Sequence, residues 1–380
     1  MDSQTVDVVV VGAGQAGLAS GYFLKRAGMD FVILEGNARV GDVWRDRWDS
    51  LRLFTPARYS ALPGLKFPAP AGSFPGKDAF ADYLESYAQH FQLPVRTRVQ
   101  VLSVRKAGSM FEVQTSDGPL QAHAVVVAAG PNSAPNIPDV ALDLDGEIQQ
   151  LHSSGYSSPA GLPGGDVLVV GAGTSGAEIA LELAHKHRSG QVFLAGRPTP
   201  HIPDAVFRYA GALYWRLVNS VLTLDTKPGR KVAQGFHRRG APLIRVSMED
   251  VERAGVIRLP RLTGASAGKP VFGAGTSDGG TPAPGAAPGT APSAAPANLR
   301  TVIWATGFRP DFGWIEGLPV DDLGWPATTR GVVAEIPGLY FVGMPFQYAL
   351  TSAIVGGVGR DAEYVVEHLA ARHALTSTNA

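Results

Sequence analysis

Val6-Asp7-Val8-Val9-Val10-Val11 runs straight into Gly12-Ala13-Gly14-Gln15-Ala16-Gly17, and the rest of the chain can be read outward from that junction. A nearly continuous β-branched run predicts a strand buried on both faces of a parallel sheet. The next segment has helical spacing, with Leu18, Ala19, Tyr22, Phe23 and Arg26 on one side, and Gly28 stands where a helix stops. Phe31-Val32-Ile33-Leu34 then predicts a second strand, ending in Glu35. The same grammar returns about 160 residues later, too far for a solenoid repeat and suited to two related domains. There Asp166-Val167-Leu168-Val169-Val170 leads into Gly171-Ala172-Gly173-Thr174-Ser175-Gly176. A helix with Ile179, Ala180, Leu183 and Ala184 on one face follows, stopping near Gly190. The strand Gln191–Leu194 comes next, and then Arg197.

Further strands pair with these units. Val125–Ala129 ends at Gly130, Val302–Ala305 runs into Thr306-Gly307, and Leu339–Val342 ends at Gly343. A last helix is predicted over about Ser352–Leu369. The expected fold class is α/β, with two Rossmann-like doubly wound domains. The first is discontinuous, built from 1–150 and 305–380, and the second, 155–304, is inserted into it. Residues 273–298 hold six Gly, eight Ala and five Pro and lack Leu, Ile, Val and Phe. They read as a flexible insertion, because such a segment buries too little apolar surface to offset its ordering entropy.

Composition removes several function classes. Basic and acidic residues number 33 each, so no net field attracts polyanions, which argues against nucleic acid as a partner. No apolar run approaches the ~18 residues of a membrane helix, and the polar start shows no signal peptide; a cytoplasmic location is expected. The chain has no cysteine. That excludes disulfides, thiolate metal sites and any route passing electrons to a cysteine pair. No metal site is expected.

Each glycine of the first turn has a physical task. Gly12 permits the turn, Gly14 lets a pyrophosphate approach the backbone, and Gly17 lets the helix pack on the strand. Gln15 and Ala16 open the helix, whose free N–H groups and dipole favour phosphate. Glu35, eighteen residues after Gly17, accepts hydrogen bonds from a ribose 2′-hydroxyl and repels a 2′-phosphate, which suits FAD or NAD. Gly171, Gly173, Thr174, Ser175 and Gly176 repeat the turn, but here Arg197 stands near the end of the following strand. An arginine pairs with a 2′-phosphate, so NADPH is expected at the second site, favoured roughly ten- to a hundred-fold over NADH.

At this point a family resemblance becomes specific. Gly41-Asp42-Val43-Trp44, Leu51-Arg52-Leu53-Phe54-Thr55-Pro56, Phe67-Pro68 and above all Ala305-Thr306-Gly307-Phe308-Arg309-Pro310-Asp311 resemble the class B flavin-dependent monooxygenases of the flavin-containing monooxygenase-like group. His152-Ser153-Ser154-Gly155-Tyr156 fits the second half of that family's fingerprint, while the upstream Gly146 lies six residues before His152 instead of four. The resemblance implies FAD on the first unit, with Gly41, Trp44, Val101, Gly130 and Gly343 among its contacts. It implies NADPH on the second, with Thr306 and Gly307 added. It further implies hydride transfer from NADPH to FAD, reaction of the reduced flavin with O2 at C4a, and delivery of one oxygen atom to a small nucleophile, N or S.

No acid–base dyad or triad is visible; His152 and Tyr156 are weak catalytic candidates, and His152 reads as readily as a histidine orienting the linker. The amino end of the last helix is expected to face the flavin, and Gln347 and Tyr348 to border it. Arg47, Arg52 and Arg58 are candidates to position NADPH or substrate, with nothing in the sequence to choose among them. Baeyer–Villiger oxidation of a ketone, NADPH-dependent flavin or quinone reduction, and non-enzymatic redox sensing stay open. A homodimer is the default expectation.

Overall fold

Both glycine turns take shape between strands that the β-branched runs form. The computed structural model describes residues 4–132, 134–187, 189–239, 242–273 and 296–378. β1 (Gln4–Val11) enters the first turn, α1 (Gln15–Arg26) leaves it, and β2 (Phe31–Glu35) returns parallel to β1. Val8, Val9 and Val10 are fully buried, as a parallel strand covered on both faces requires. Beyond α1, Gly28 takes a left-handed φ of +69°. Leu18 and Ala19 point into the core and Tyr22 and Phe23 are half-buried, but Arg26 departs from the expected face. It is exposed, with its guanidinium 5.6 Å over the Tyr22 ring, because its stem can cover an aromatic face while its head stays in water.

The chain continues through α2 (Asp42–Arg45), α3 (Lys77–His90) and β3 (Val95–Thr97) to a meander of β4 (Val101–Ala107), β5 (Met110–Thr115) and β6 (Gly118–Val127). The sheet order is β3-β2-β1-β6-β5-β4. β6 is forked. Its Gly118–Ala122 half pairs antiparallel with β5, and its Val125–Val127 half pairs parallel with a late strand that comes some two hundred residues on. β1 lies along its whole other edge.

After β7 (Ala134–Pro135), β8 (Gln149–His152) begins the second sheet. β9 (Asp166–Val170), α4 (Thr174–Lys186) and β10 (Val192–Ala195) repeat the opening unit. Then come α5 (Asp204–Ser220), α6 (Lys227–Arg239), α7 (Met248–Arg253), β11 (Ile257–Leu259) and the hairpin β12 (Arg261–Ser266) and β13 (Lys269–Gly273). β14 (Leu299–Trp304) completes an all-parallel sheet ordered β11-β10-β9-β14-β8. Of the expected insertion at 273–298, residues 274–295 lie outside the described residues. Val140, Ala141 and Ile148 pack on this second sheet, so sheet membership switches upstream of residue 150.

β15 (Phe308–Arg309) pairs with β7 and brings the chain back to the first unit. β16 (Leu339–Phe341) fills the fork of β6, and α8 (Val355–Thr378) packs on the same core as α1. α8 starts at Val355, later than Ser352. The Ser352 hydroxyl accepts the N–H groups of Tyr348 and Ala349, at 3.0 and 2.9 Å, and so holds that segment as a turn. No helix among the described residues is long and apolar enough to cross a membrane.

Candidate dinucleotide sites and the seam between them

The first turn is fixed by contacts that leave no room for a side chain. Gly12 has φ +98°, and a Cβ there would lie 2.8 Å from the Ala128 carbonyl oxygen; one on Gly17 would lie 1.8 Å from Gly12 O. A Cβ on Gly14 would meet nothing within 4 Å. The turn is therefore closed on the protein side and open on the side a phosphate would approach. Gly14 caps α1 without a side-chain hydrogen bond, so the N–H groups that open the helix at Gln15 and Ala16 are not consumed by a capping side chain.

Glu35 is drawn into the same place. Its Oε2 accepts from Ala13 N–H at 2.8 Å, and its Oε1 from the backbone and side chain of Asn37 at 2.9 and 2.7 Å. Val101 opens β4 in the chain just beyond, where Val99 N–H donates to Glu35 O. Gly130, φ +77°, follows β6 and faces open space. Gly343 follows β16 and sits so close to α1 that a Cβ would lie 2.8 Å from that of Ala16. Gly41 and Trp44 are set by α2 and α3. Gly41 heads α2, against Ala81 of α3, and Trp44 meets Phe80 edge-to-face at 4.8 Å. Trp44 also packs on the second unit's core.

The second turn repeats the packing. A Cβ on Gly171 would meet Ala305 O at 2.3 Å, and one on Gly176 would meet Gly171 O at 1.8 Å; Gly173 is open. Thr174 and Ser175 begin α4 from a Gly173 cap that also lacks a side-chain bond. Thr306 donates its hydroxyl to Asn136 O, and Gly307, φ +79°, faces open space as Gly130 does. The strand ends differ. Gly12 N–H donates to Leu34 O at 2.7 Å and Gly171 N–H to Ala195 O at 2.8 Å, so Leu34 corresponds to Ala195 and Glu35 to Gly196. The carboxylate is replaced by glycine, and Arg197 comes next. Arg197 is exposed and has no hydrogen bond or ion pair to a described residue.

Arg258 on β11 adds a second cation here, its guanidinium donating to Gly196 O at 3.2 Å. Burial lowers its pKa, against the weaker opposing charge of Glu252. Sequence reasoning missed Arg258 because the strand order, not a local motif, brings β11 beside β10.

His152 and Tyr156 hold the frame. His152 is buried; Nε2 donates to Gly307 O at 2.9 Å, which leaves Nδ1 to accept from the Ser154 hydroxyl at 2.8 Å. Its ring meets Phe308 edge-on at 4.8 Å. Burial pushes its pKa down, the Gly307 bond opposes this, and the charge of Arg47 lowers it further. Tyr156 is 1% exposed and donates to Glu182 at 3.1 Å, inside the second unit's core. Burial raises its pKa first, helped by the Glu182 charge. The phenol is thereby placed as a packing and hydrogen-bonding group of the second unit.

Gln347 turns inward, bonding Phe341 O at 2.9 Å and Arg330 O at 3.3 Å. Tyr348 reaches across to the second unit and donates to Asp225 at 2.7 Å. Nearby, a cavity of about 140 Å³ lies between the 58–61 segment, α5 and the chain before α8, walled by Tyr59, Trp215, Asn219, Thr351 and Ile354.

One mixed sheet with a parallel run β3-β2-β1-β6 and one all-parallel sheet, each with a glycine turn at the carboxyl end of its first glycine-linked strand, define a two-dinucleotide-fold oxidoreductase. The chain belongs to the pyridine nucleotide-disulphide oxidoreductase family, whose model matches residues 9–203. It is 38% identical, over 96% of its length and 98% of the relative's, to an uncharacterised CzcO-like oxidoreductase of Geobacillus kaustophilus. It is similar to the flavin-containing monooxygenase of Stenotrophomonas maltophilia, with a TM-score of 0.76 and 28% identity over 97% of this chain and 99% of that one. An indole-3-pyruvate monooxygenase of Oryza sativa shares 36% identity over 58% of this chain and 56% of its own.

Proposed function

We propose that the protein is an FAD- and NADPH-dependent monooxygenase that inserts one atom of O2 into the nitrogen or sulfur of a small molecule. The observation that carries this reading is the contrast at the two strand ends. The turns pack alike, yet one ends in a carboxylate held by Ala13 N–H and the other in Gly196 followed by the exposed Arg197. A carboxylate suits an unphosphorylated adenosine ribose; glycine followed by arginine suits a 2′-phosphate. The open faces at Gly14 and Gly173 fit pyrophosphates. We assign FAD to the unit of residues 1–150 and 305–380, less the stretch that packs on the second sheet, and NADPH to residues 155–304.

When bound, the nicotinamide supplies a hydride and the flavin accepts it and activates oxygen. The chain's own residues bind, orient and exclude water. Glu35, Gly14 and the amino end of α1 hold the flavin's adenosine and phosphates. Arg197 and Arg258 flank the 2′-phosphate. The His152–Gly307 bond ties β8 to the turn after β14 and would so steady the seam against which the nicotinamide dinucleotide binds. The cavity beside Tyr59 and Trp215 takes the substrate. The chain carries no cysteine, so no dithiol of its own takes the electrons; in this reading oxygen does. Names of the relatives support the same class: one neighbour is a flavin-containing monooxygenase and one relative an indole-3-pyruvate monooxygenase.

The test is anaerobic reduction of the purified flavoprotein with NADPH, followed by rapid mixing with 18O2 and a panel of amines and thioethers. A blue-shifted flavin spectrum preceding the oxidised one, with label in the product, is the expected result. Direct reoxidation with stoichiometric hydrogen peroxide and no label in any product would reject oxygen insertion in favour of a reductase.

A further inference from the structure

Four arginines follow Trp44 closely; Arg45 is paired with Asp42, Asp82 and Glu85, and the structure separates the other three. Arg52 and Arg58 are exposed and spend donors on backbone carbonyls, those of Phe74 at 3.1 Å and Ala71 at 3.1 Å. Arg47 is half-buried, and its guanidinium makes no hydrogen bond or ion pair to a described residue. Its Cζ lies 5.6 Å from the centre of the Phe308 ring, and its charge is felt by His152. Burial lowers its pKa, only partly offset by the charge of neighbouring Asp46. A desolvated guanidinium with no acceptor is costly unless an anion completes it.

The backbone carrying Arg47 is clamped from both sides. Lys77, itself buried, donates to the carbonyls of Arg45 and Arg47 at 2.7 Å each and to Asp49 at 3.1 Å. From the other side, Trp48 is part of the second unit's core and Asp49 N–H donates to Ser157 O at 2.8 Å. Such anchoring is what a positioned ligand contact needs and what a solvated arginine lacks. The ring under Arg47 follows Gly307, two residues beyond the Ala305 carbonyl that packs on Gly171. Arg47 therefore reaches from the first unit to the segment that leaves β14 beside the second glycine turn.

We propose that Arg47 binds a phosphate oxygen in the pyrophosphate of the nicotinamide dinucleotide, so that the first unit supplies one contact to the second unit's ligand. This rests on the NADPH reading above. The contact would tie dinucleotide binding to the relative placement of the two units, because the cation and the turn belong to different sheets.

The experiment compares binding of NADP+ and of 2′-AMP to the flavin-loaded protein by calorimetry, in the wild type, R47Q, R47K and R197Q. 2′-AMP carries the 2′-phosphate but neither phosphate of the pyrophosphate. R47Q is expected to weaken NADP+ about ten-fold or more, as a charge-assisted bond implies, and to leave 2′-AMP unchanged. R47K should recover part of the loss, because it keeps the charge without the fork. R197Q should weaken both ligands alike. The proposal is overturned if R47Q binds both ligands as the wild type does. It is equally overturned if R47Q loses both in step with its melting temperature, which would make Arg47 structural. Failure of the wild type to bind either ligand would instead reject the NADPH reading, a separate result.

Discussion

The two glycine turns are near copies in packing and opposites in electrostatics. Gly17 and Gly176 each back onto the carbonyl of the first glycine of their turn, at the same 1.8 Å for an added Cβ. Gly14 and Gly173 both face open space. What distinguishes the units is a single position beyond: Glu35 in one, Gly196 then Arg197 in the other. The packing of the turn is shared by both units, while the proposed choice between adenosines rests on the side chains at the strand end.

The hardest way to break the comparison is to apply the same steric insult twice. Gly17→Ala and Gly176→Ala each drive a methyl into backbone that cannot give way, a strain of about 1–3 kcal/mol or more. Gly17→Ala is expected to purify with little or no flavin. Gly176→Ala should keep its flavin, read from its absorbance, but lose reduction by NADPH. Equal loss of flavin in both would show that the turns do not hold separate ligands.

Charge comes next. Arg197→Gln should lower the kcat/KM preference for NADPH over NADH by roughly ten- to a hundred-fold, leaving flavin content intact. A preference that does not move would transfer the role to Arg258. A smaller effect belongs to Tyr156. Tyr156→Phe removes one buried hydrogen bond and should cost about 0.5–1.5 kcal/mol of stability by denaturant titration. It should not change turnover; a large fall in kcat with stability preserved would restore the phenol as a catalytic group.

The smallest effect is in pH. Burial holds the His152 pKa below its ordinary 6.5, so the folded protein keeps the ring neutral where an unfolded chain would protonate it. The unfolded state then binds more protons, and stability falls as pH drops below about 6.5, levelling off below the folded value. Melting curves from pH 8 to 5 should show this acid-side loss, reduced in His152→Gln. A loss of the same size in the variant would assign it to other groups.

The strand–turn–helix units and the two sets of glycines were legible because their signals are local: β-branched runs, fixed glycine spacing, a polar residue at the strand end. Glu35 falls where spacing places it, since the turn's own geometry draws β2 alongside. What stayed hidden depends on contacts between distant segments. Nothing near Arg258 announces that strand order brings it to Gly196. Lys77 looks like an ordinary helix-opening lysine until its three partners on the 45–49 segment are seen. His152 and Tyr156 carry a family motif, yet their partners, Gly307 and Glu182, give them structural bonds that the motif does not predict. The late start of α8 was hidden for a smaller reason: a hydroxyl at Ser352 serves a turn as well as it serves a helix.

The fork in β6 sets an order of assembly. The second sheet has all its strands once β14 has emerged at Trp304, whereas the first sheet, begun by the earliest strand, waits for β16. While the ribosome works toward Leu339, the Val125–Val127 edge of β6 is a bare apolar row of unpaired backbone groups, a template for mispairing with another nascent chain. The insert thus matures inside an unfinished host, and the unit that begins synthesis first is completed last.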